Sequence, residues 1–470
     1  MQTGNKLGLS GRQLAACAVV LLAGLFLNSG CDITTFGNLT TTGTSSGGGS
    51  STTPTVPHLQ NGVFTVSASS LVQVQPDVAF FDTASGSARR FLACWVEGAS
   101  GSNSSAIKAQ NFLLTVNGTL QASTQLTLTS TAVAVRLPAV TVLAEPSRIT
   151  GVVVWQQQNV ATATPGPNRI VSSCVVKNGN GLDRFAGVND VSAVSNTTVQ
   201  QYSPAVASAG TTLCLVVYLE TSPASGEPTL KGRFLDNRGI LFSGSPEIDI
   251  DHAVGNVDLN TRPSVTFNSS LGEFLVVWGG GGSQNTTVRR ATVQANPTKA
   301  NPVIVTSGEV LVSGASWSGR NPLFARAAYN SSLREYLAVW TEYGTGAYKR
   351  VFRHKLDVAA TPSTSGAIDL SGNRPNADRP ALSFNSILNQ YLVVWPDVSA
   401  TSSGTFDIRA RLLGHDTSSN VTNGDEITVA SGTVNRTEPA VAFDPIEDNW
   451  LVLFTEDGRA IRGQRVKPGR

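Results

Sequence analysis

The sequence contains few charged residues, and the charges that it has nearly cancel. Asp, Glu, Lys and Arg make up 14% of the 470 residues and leave a formal net charge of +2 at pH 7. A typical soluble domain has about 25% charged residues, so the solubility of this protein depends on other polar groups. Ser, Thr, Asn and Gly are abundant instead, which is common in exported proteins. The balanced charge argues against nucleic acid or an acidic membrane surface as a partner.

Cysteine is scarce, which limits the possible cross-links. Of five cysteines, Cys17 and Cys31 lie in or beside the N-terminal leader. The other three, Cys94, Cys174 and Cys214, are an odd number, which excludes a framework of disulfides. A single bridge between Cys174 and Cys214 and buried free thiols remain as alternatives.

Histidine is scarcer still. The four residues are scattered along the chain without the spacing of metal ligands: His58, His252, His354 and His415. None falls on a strand that we predict to be innermost, so catalytic zinc and a histidine general base are not expected. We predict no cofactor.

The N-terminus has the features of a bacterial secretory signal. An apolar run of 14 residues, Leu14 to Leu27, is short for a membrane span and suits the core of a signal peptide. The following Asn28-Ser29-Gly30-Cys31 resembles the lipobox of bacterial lipoproteins, although Asn28 stands where an aliphatic residue is usual. We predict a signal peptide over residues 1–30 and a lipid on Cys31, with ordinary cleavage nearby as the alternative.

Residues 31–57 are rich in Thr, Ser and Gly. This composition buries too little apolar surface to fold, so we predict a flexible tether between the lipid and a folded domain. About 26 tether residues have a root-mean-square reach of roughly 30 Å. The protein is then exported and held at the cell envelope, with the lipid as its only contact with the membrane.

Seven copies of one repeat occupy the rest of the chain. The copies begin at Pro76, Pro138, Pro204, Pro263, Pro322, Pro380 and Pro439. Their separations are 62, 66, 59, 59, 58 and 59 residues, and each proline is followed by an aromatic residue 14 to 19 positions later. Seven units at nearly constant pitch indicate a repeat architecture.

Each copy has the pattern of four β-strands. A small, alternating strand a (PAVAF after Glu438) precedes an apolar strand b (YLVVW from Tyr391), an alternating strand c (DIRARLL from Asp407) and a polar strand d (DEITVAS from Asp425). Blades that stack face to face bury both sides of a middle strand, and small residues suit the crowded axis. The sequence predicts an all-β, seven-bladed β-propeller over residues 58–470, with four antiparallel strands in each blade.

The last copy has no strand d, and a segment before the first copy supplies one. The last copy ends near Val466 after strand c, whereas NGVFTVSAS from Asn61 parallels the strand d segment NGDEITVAS from Asn423. We expect this N-terminal strand to complete the last blade and close the ring. An open solenoid would need capped ends instead.

The repeat pattern RPAVAF, YLVVWxD and IRARLL resembles that of secreted bacterial β-propeller repeat proteins, which are often lipoproteins and mostly uncharacterised. The resemblance covers about residues 60–466. It implies the fold and an envelope location, but no activity, because propellers host enzymes, lectins and scaffolds alike.

Five arginines lie one to three residues before a repeat proline, at the end of the predicted tunnel where propeller ligands usually bind: Arg136, Arg262, Arg320, Arg379 and Arg436. A ring of guanidinium groups suits a phosphate, a sulfate or a uronic acid. The alternative is that each arginine pairs with an acid at the end of the preceding blade's strand b. The pairs are then Glu97–Arg136, Glu220–Arg262, Glu342–Arg379 and Asp397–Arg436. Arg320 has no such acid and is the clearest candidate for a ligand contact.

A second cluster of carboxylates is a weak calcium candidate. Glu247, Asp249 and Asp251 lie on one face of a predicted strand, with Asp258 beyond it. They lack the glycine-containing turn of a calcium loop. A charged outer strand, which prevents edge-to-edge pairing, is the alternative.

The regular blades favour a non-catalytic module that binds or scaffolds a protein or glycan at the cell envelope. The alternative is a carbohydrate-active hydrolase or lyase with its site at the tunnel mouth. Its carboxylates would be Asp77, Asp378 and Glu438, each beside a repeat proline.

Overall fold

The structure is a computed structural model. It describes residues 55–81, 91–100, 102, 104–114, 120–129, 133–145, 148–159, 166–178, 181–191, 199–221, 226–251, 257–280, 287–299, 303–304, 310–311, 321–344, 348–364, 366–372, 374, 376–400, 402 and 404–469. The predicted signal peptide, the lipid site Cys31, most of the tether and Arg320 lie outside the described residues.

The described elements are all strands. The first fifteen are β1 (Thr55–Ala68), β2 (Val72–Phe80), β3 (Phe91–Gly98), β4 (Ser105–Leu114), β5 (Leu120–Ala122), β6 (Leu126–Thr127), β7 (Val133–Glu145), β8 (Arg148–Asn159), β9 (Asn168–Asn178), β10 (Gly181–Arg184), β11 (Asn189–Asp190), β12 (Gln200–Ala209), β13 (Leu213–Thr221), β14 (Pro228–Asp236) and β15 (Ile248–Asp251). The others are β16 (Ser264–Asn268), β17 (Glu273–Gly279), β18 (Val288–Gln294), β19 (Val303–Ile304), β20 (Val310–Leu311), β21 (Asn321–Asn330), β22 (Glu335–Tyr343), β23 (Lys349–Leu356), β24 (Ile368–Asp369), β25 (Ala381–Asn385), β26 (Gln390–Val398), β27 (Phe406–His415), β28 (Val421–Ala430), β29 (Arg436–Asp444), β30 (Asn449–Glu456) and β31 (Ala460–Gly469).

The strands form seven antiparallel sheets, each of which is one blade. From the axis outward, blades 1 to 7 have the orders β2-β3-β4-β5, β7-β8-β9-β10, β12-β13-β14-β15, β16-β17-β18-β19, β21-β22-β23-β24, β25-β26-β27-β28 and β29-β30-β31-β1. In blades 1, 2 and 4 a second short strand (β6, β11 and β20) extends the outer edge. The innermost strands of neighbouring blades pack together around the ring, and β2 of blade 1 packs on β29 of blade 7. The predicted seven-bladed β-propeller is confirmed.

The N-terminal strand closes the ring as predicted. β1 pairs antiparallel with β31, with Phe64 opposite Gly463 and Ala68 opposite Ala460. Gly463 leaves room for the Phe64 ring, because a Cβ there would lie 2.5 Å from it. Chain segments almost 400 residues apart thus share one sheet.

Among the described residues there is no helix long and apolar enough to span a membrane.

The core consists of apolar layers between blades. The largest inaccessible side chains on the second strands are Trp95, Trp155, Trp340, Trp395 and Trp450. One such layer joins Leu337 and Val339 of blade 5 to Val393 and Trp395 of blade 6. Both faces of each second strand are therefore covered, which explains its continuous apolar sequence.

The three propeller cysteines are free and buried. The alternative of a bridge between Cys174 and Cys214 is therefore wrong, and the alternative of buried free thiols is confirmed. Cys214 packs in an apolar layer with Val152 and Val216, while the Cys174 thiol lies 3.4 Å from the Asn237 carbonyl oxygen. Burial raises the pKa of the Cys214 thiol, which keeps it protonated.

A β-bulge determines which residues occupy equivalent positions on the innermost strands. The residue before the repeat proline has a positive φ in five blades: Gln75, Leu137, Ser203, Arg379 and Glu438. In blade 5 the positive φ belongs to Phe324 instead, and the register shifts between Leu323 and Arg326. Pro322 is thus not the counterpart of the other repeat prolines. Ala325 takes that place, and Arg326 follows it.

Candidate functional site

A tunnel lies on the propeller axis, and two rings of side chains from the innermost strands line it. The mouth ring contains the residue at the bulge position of each blade: Gln75, Leu137, Ser203, Arg262, Phe324, Arg379 and Glu438. The inner ring lies two residues further along each chain: Asp77, Ala139, Ala205, Ser264, Arg326, Ala381 and Ala440. The cavity volume is about 380 Å³ at the mouth ring and about 130 Å³ at the inner ring.

Charge is concentrated along this tunnel. Five inner-ring residues are Ala or Ser, which suits the crowding of seven strands, while Asp77 and Arg326 are charged. The charged residues lining the mouth are Arg136, Arg262, Arg326, Arg379 and Glu438. Four guanidinium groups thus stand against two carboxylates, and the lining has an excess of two positive charges.

Arg262 and Asp77 influence each other within the tunnel. Arg262 Nη2 donates a hydrogen bond of 2.9 Å to the carbonyl oxygen of Pro138, two blades away. Asp77 Oδ2 accepts a hydrogen bond of 2.8 Å from the Val140 N–H. Burial raises the pKa of Asp77, and the charge of Arg262 opposes that rise. Burial lowers the pKa of Arg262, and Asp77 opposes that fall. The two charges therefore partly compensate each other.

Arg326 is a further charged side chain of the tunnel lining, and Asp77 is the group that offsets its charge. Its Nη1 donates to two backbone carbonyl oxygens, those of Ala325 at 3.1 Å and Arg262 at 3.4 Å. Within the described ranges, no carboxylate oxygen lies within 4.0 Å of its guanidinium. Burial, followed by repulsion from Arg262, lowers its pKa to about 9. The group stays charged at neutral pH and gains from any anion that enters.

Arg379 is fixed at the rim of the mouth. Its guanidinium carbon lies 4.7 Å from the centre of the Phe324 ring, a cation–π contact. Its Nη1 lies 3.8 Å from Glu438 Oε1. The side chain is 50% exposed, so Arg379 is both held in place and accessible to a ligand.

Glu438 also ties blades together. Its Oε2 accepts the Gln75 N–H at 2.8 Å, and Gln75 Oε1 accepts the Leu137 N–H at 2.7 Å. A bulge takes its N–H out of the strand ladder, so these side chains supply the missing acceptors. Blade 7 is thereby joined to blade 1, and blade 1 to blade 2.

The structure brings together three of the five arginines predicted at the mouth. Arg136, Arg262 and Arg379 line the mouth cavity. Arg436 is only 8% exposed and does not line it. Arg320 lies outside the described residues, so its role stays a prediction.

The predicted inter-blade ion pairs have different partners in the structure. Arg436 pairs with Glu456 of its own blade at 3.0 Å, and Glu97 and Glu220 accept hydrogen bonds from Gln73 at 2.7 Å and Gln201 at 2.9 Å. These contacts join the first and second strands within one blade. The pairing of Arg436 with Asp397 is therefore wrong, because the strand register places Arg436 opposite Glu456.

Arg262 and Arg379 also have partners other than the predicted acids. Arg262 reaches Pro138 rather than Glu220, and Arg379 lies near Glu438 of blade 7 rather than Glu342. Both side chains line the mouth cavity instead.

The remaining carboxylate candidates lie away from the tunnel. Asp378 is buried and binds Tyr343 Oη at 2.9 Å and Lys349 Nζ at 2.7 Å. Asp249 pairs with Lys231 at 3.2 Å on an outer strand, and Asp258 accepts the Asn260 N–H at 2.7 Å in a turn. Among the described residues, no three His, Cys, Asp or Glu side chains are placed to hold a metal ion.

Pro322 conceals the place of Arg326 in the repeat, because Ala325 is the true counterpart of the other repeat prolines. A signal for it does exist in the sequence. In blades 4, 6 and 7 the inner-ring residue lies 14 positions before the aromatic of the second strand, as for Ala381 and Trp395. The same distance from Trp340 leads to Arg326.

No protein-family model matches this chain, and no curated protein matches it. Among solved structures, the Hadza microbial sialidase Hz136 shares 10% identity with a TM-score of 0.42, over 84% of this chain and 66% of that one. An endo-arabinase from Bacteroides thetaiotaomicron shares 11% identity with a TM-score of 0.32, over 54% of this chain and 89% of that one. An exo-1,5-alpha-L-arabinanase from a bovine ruminal metagenomic library shares 12% identity with a TM-score of 0.32, over 61% of this chain and 96% of that one. At these TM-scores the similarities assign no activity to this chain.

Proposed function

We propose that this protein binds an anionic ligand, an acidic glycan, at the mouth of the propeller tunnel. The observation that carries the proposal is the excess of guanidinium groups over carboxylates in the lining of one cavity. An arginine fork binds a carboxylate or a sulfate through two parallel hydrogen bonds. The fixed position of Arg379 over Phe324 reduces the entropy lost when a ligand binds.

The shape and polarity of the mouth suit a sugar. Its volume of about 380 Å³ lies within the roughly 300–1,000 Å³ of small-molecule pockets. Ser203 and Asn260 also line it, and such side chains offer donors and acceptors to sugar hydroxyl groups. An acidic sugar satisfies both the positive charge and these polar groups.

The direction of the first strand supports a role at the envelope. β1 begins with Thr55 opposite Gly469 and ends with Ala68 opposite Ala460. The Ala460 end lies at the mouth, since Gly458 O accepts a hydrogen bond from Gln73 N–H at 2.7 Å. The chain therefore enters the propeller on the opposite face. With a lipid on Cys31, as we propose, the tether would join the propeller on the face opposite the mouth.

A glycan array tests the proposal. We expect the wild-type protein to bind glycans with uronic acid or sulfated residues and to bind their neutral counterparts at least tenfold less. Arg379→Gln should weaken binding to the acidic set. Arg238→Gln is the matched control, because Arg238 is exposed and pairs with Asp236 in a turn outside the tunnel. Equal binding to acidic and neutral glycans, or to none, would overturn the proposal.

A second candidate is a carbohydrate-active enzyme with the same site. The observation that favours it is a pair of tunnel carboxylates, Asp77 with a raised pKa and Glu438. A raised pKa suits a general acid, and glycosidases use two carboxylates. Each of these also accepts a backbone hydrogen bond, from Val140 or Gln75, which gives it a structural role. New reducing ends from the bound glycan, abolished by Asp77→Asn, would establish catalysis.

A further inference from the structure

We infer that the inner ring is a distinct subsite for one singly charged anionic group of the ligand, held by Arg326 together with Arg262. This inference rests on the proposed function and adds the depth to which the ligand enters and the charge that it carries. The sugar itself would occupy the mouth, and its carboxylate or sulfate ester would extend down the axis.

The position of Arg326 is the first support. The five uncharged positions of the inner ring, where the tunnel is narrowest, are Ala or Ser. A long cationic side chain there fills space that the fold otherwise leaves to small residues. Since it forms no ion pair within the described part of the chain, stability alone does not explain its presence.

The hydrogen bonding of Arg326 is the second support. Both of its hydrogen bonds to described residues come from Nη1 and go to backbone carbonyl oxygens, those of Ala325 and Arg262. These bonds orient the guanidinium. Nε and Nη2 make no hydrogen bond to a described residue, and this edge of the fork is free for an incoming oxyanion.

The charge balance indicates which anions fit. Arg326 and Arg262 contribute two positive charges, and Asp77 on the same ring removes one. A net charge of +1 suits a monoanion, a carboxylate or a sulfate ester. The cost of removing an anion from water rises with the square of its charge, whereas its attraction to a lining of net charge +1 rises only in proportion to that charge. A phosphate monoester, with about −1.5 to −2 charges at pH 7, therefore gains less from this subsite than a monoanion does.

The volume of the inner ring limits what enters. At about 130 Å³ it is roughly a third of the mouth volume and lies below the about 300–1,000 Å³ of pockets for whole ligands. It therefore admits a charged substituent rather than a sugar ring. Because the inner ring and the mouth share Arg262 and Arg326 in their linings, one ligand reaches both.

Titration calorimetry with four sugars that differ only at carbon 6 tests this subsite. The probes are D-glucuronate, glucose 6-sulfate, glucose 6-phosphate and D-glucose, titrated into the full-length protein. We expect glucuronate or glucose 6-sulfate to bind best, with the phosphate weaker and glucose weakest. Arg326→Gln should weaken binding of the monoanions by about 10- to 100-fold and leave glucose unchanged. Arg326→Lys, which keeps the charge but loses the fork, should restore part of the loss.

Stability measurements separate a binding role from a structural one. Arg326→Gln removes a partly buried charge that Asp77 offsets only in part, so its Tm should equal or exceed that of the wild type. Arg238→Gln should change neither Tm nor affinity. If Arg379→Gln weakens the monoanions but Arg326→Gln does not, the proposed function stands and the inner subsite is wrong. Preference for the phosphate would refute the charge assignment. If no anion binds the wild type, both proposals fall.

Discussion

Buried charge is costly in this fold, and Asp397 in blade 6 shows the cost at the scale of one residue. Asp397 is 1% exposed and lies opposite Asp407, another buried carboxylate. Its Oδ2 has no hydrogen-bond partner among the described residues. Burial raises the pKa of Asp397 to about 6, with Glu426 adding to the rise and Arg374 and Arg409 opposing it. The folded state therefore binds this proton more readily than the unfolded state does.

This predicts a pH-dependent stability difference between the wild type and Asp397→Asn. The unfolded-state pKa is near 3.8 and the folded one near 6, so ionisation above pH 6 destabilises the fold. The penalty disappears as the pH falls through 6 to 4. At pH 8 the variant should have the larger free energy of unfolding, by roughly 1–3 kcal/mol after allowing for solvent screening. At pH 4 the two proteins should be nearly equal.

Urea denaturation at both pH values measures this difference. Asp249→Asn serves as the control, because the Asp249 side chain is 49% exposed and should change the free energy of unfolding little. An Asp397→Asn variant that is less stable than the wild type at pH 8 would show that the ionised carboxylate has a favourable role.

At the scale of elements, the bulge decides what the sequence reveals. The blades could be predicted because each second strand must be apolar on both faces, and the prolines mark a constant pitch. The mouth arginines Arg262 and Arg379 directly precede a repeat proline, so their place could also be predicted. Arg436 lies three residues before its proline, on a stretch that pairs with the second strand. A bulge changes which side chains face the axis, and no rule based on distance from the proline predicts that.

The first strand should be essential for the stability of the ring. Deleting Thr55–Ala68 leaves β31 as an unpaired edge and removes the buried Val66 and the Phe64 ring over Gly463. Losing such apolar contacts costs about 2–5 kcal/mol for each large side chain. We expect a marked fall in Tm, measured by circular dichroism.

The matched control removes residues 32–54 and keeps β1. Since the tether is predicted to add no core, this deletion should leave Tm unchanged. Equal Tm values for the full chain and the protein without β1 would contradict the role of the N-terminal strand in closure.

At the scale of the whole molecule, the expected envelope location rests on the proposed lipid at Cys31. β1 begins on the face opposite the mouth, so the proposed tether would leave the propeller from that face. Cys31→Ser should move the protein from the membrane fraction to the soluble fraction, whereas Cys17→Ser should not. Fractionation and immunoblotting measure this. A Cys31→Ser protein that stays in the membrane fraction would show that another contact holds it there.

A crystal structure of the protein with D-glucuronate would show directly whether the tunnel binds an anion. We expect the sugar ring at the mouth and the carboxylate in the inner ring, with an oxygen about 2.7–2.9 Å from a nitrogen of Arg326. Glucuronate bound outside the tunnel, or a tunnel occupied only by water at saturating glucuronate, would contradict this expectation.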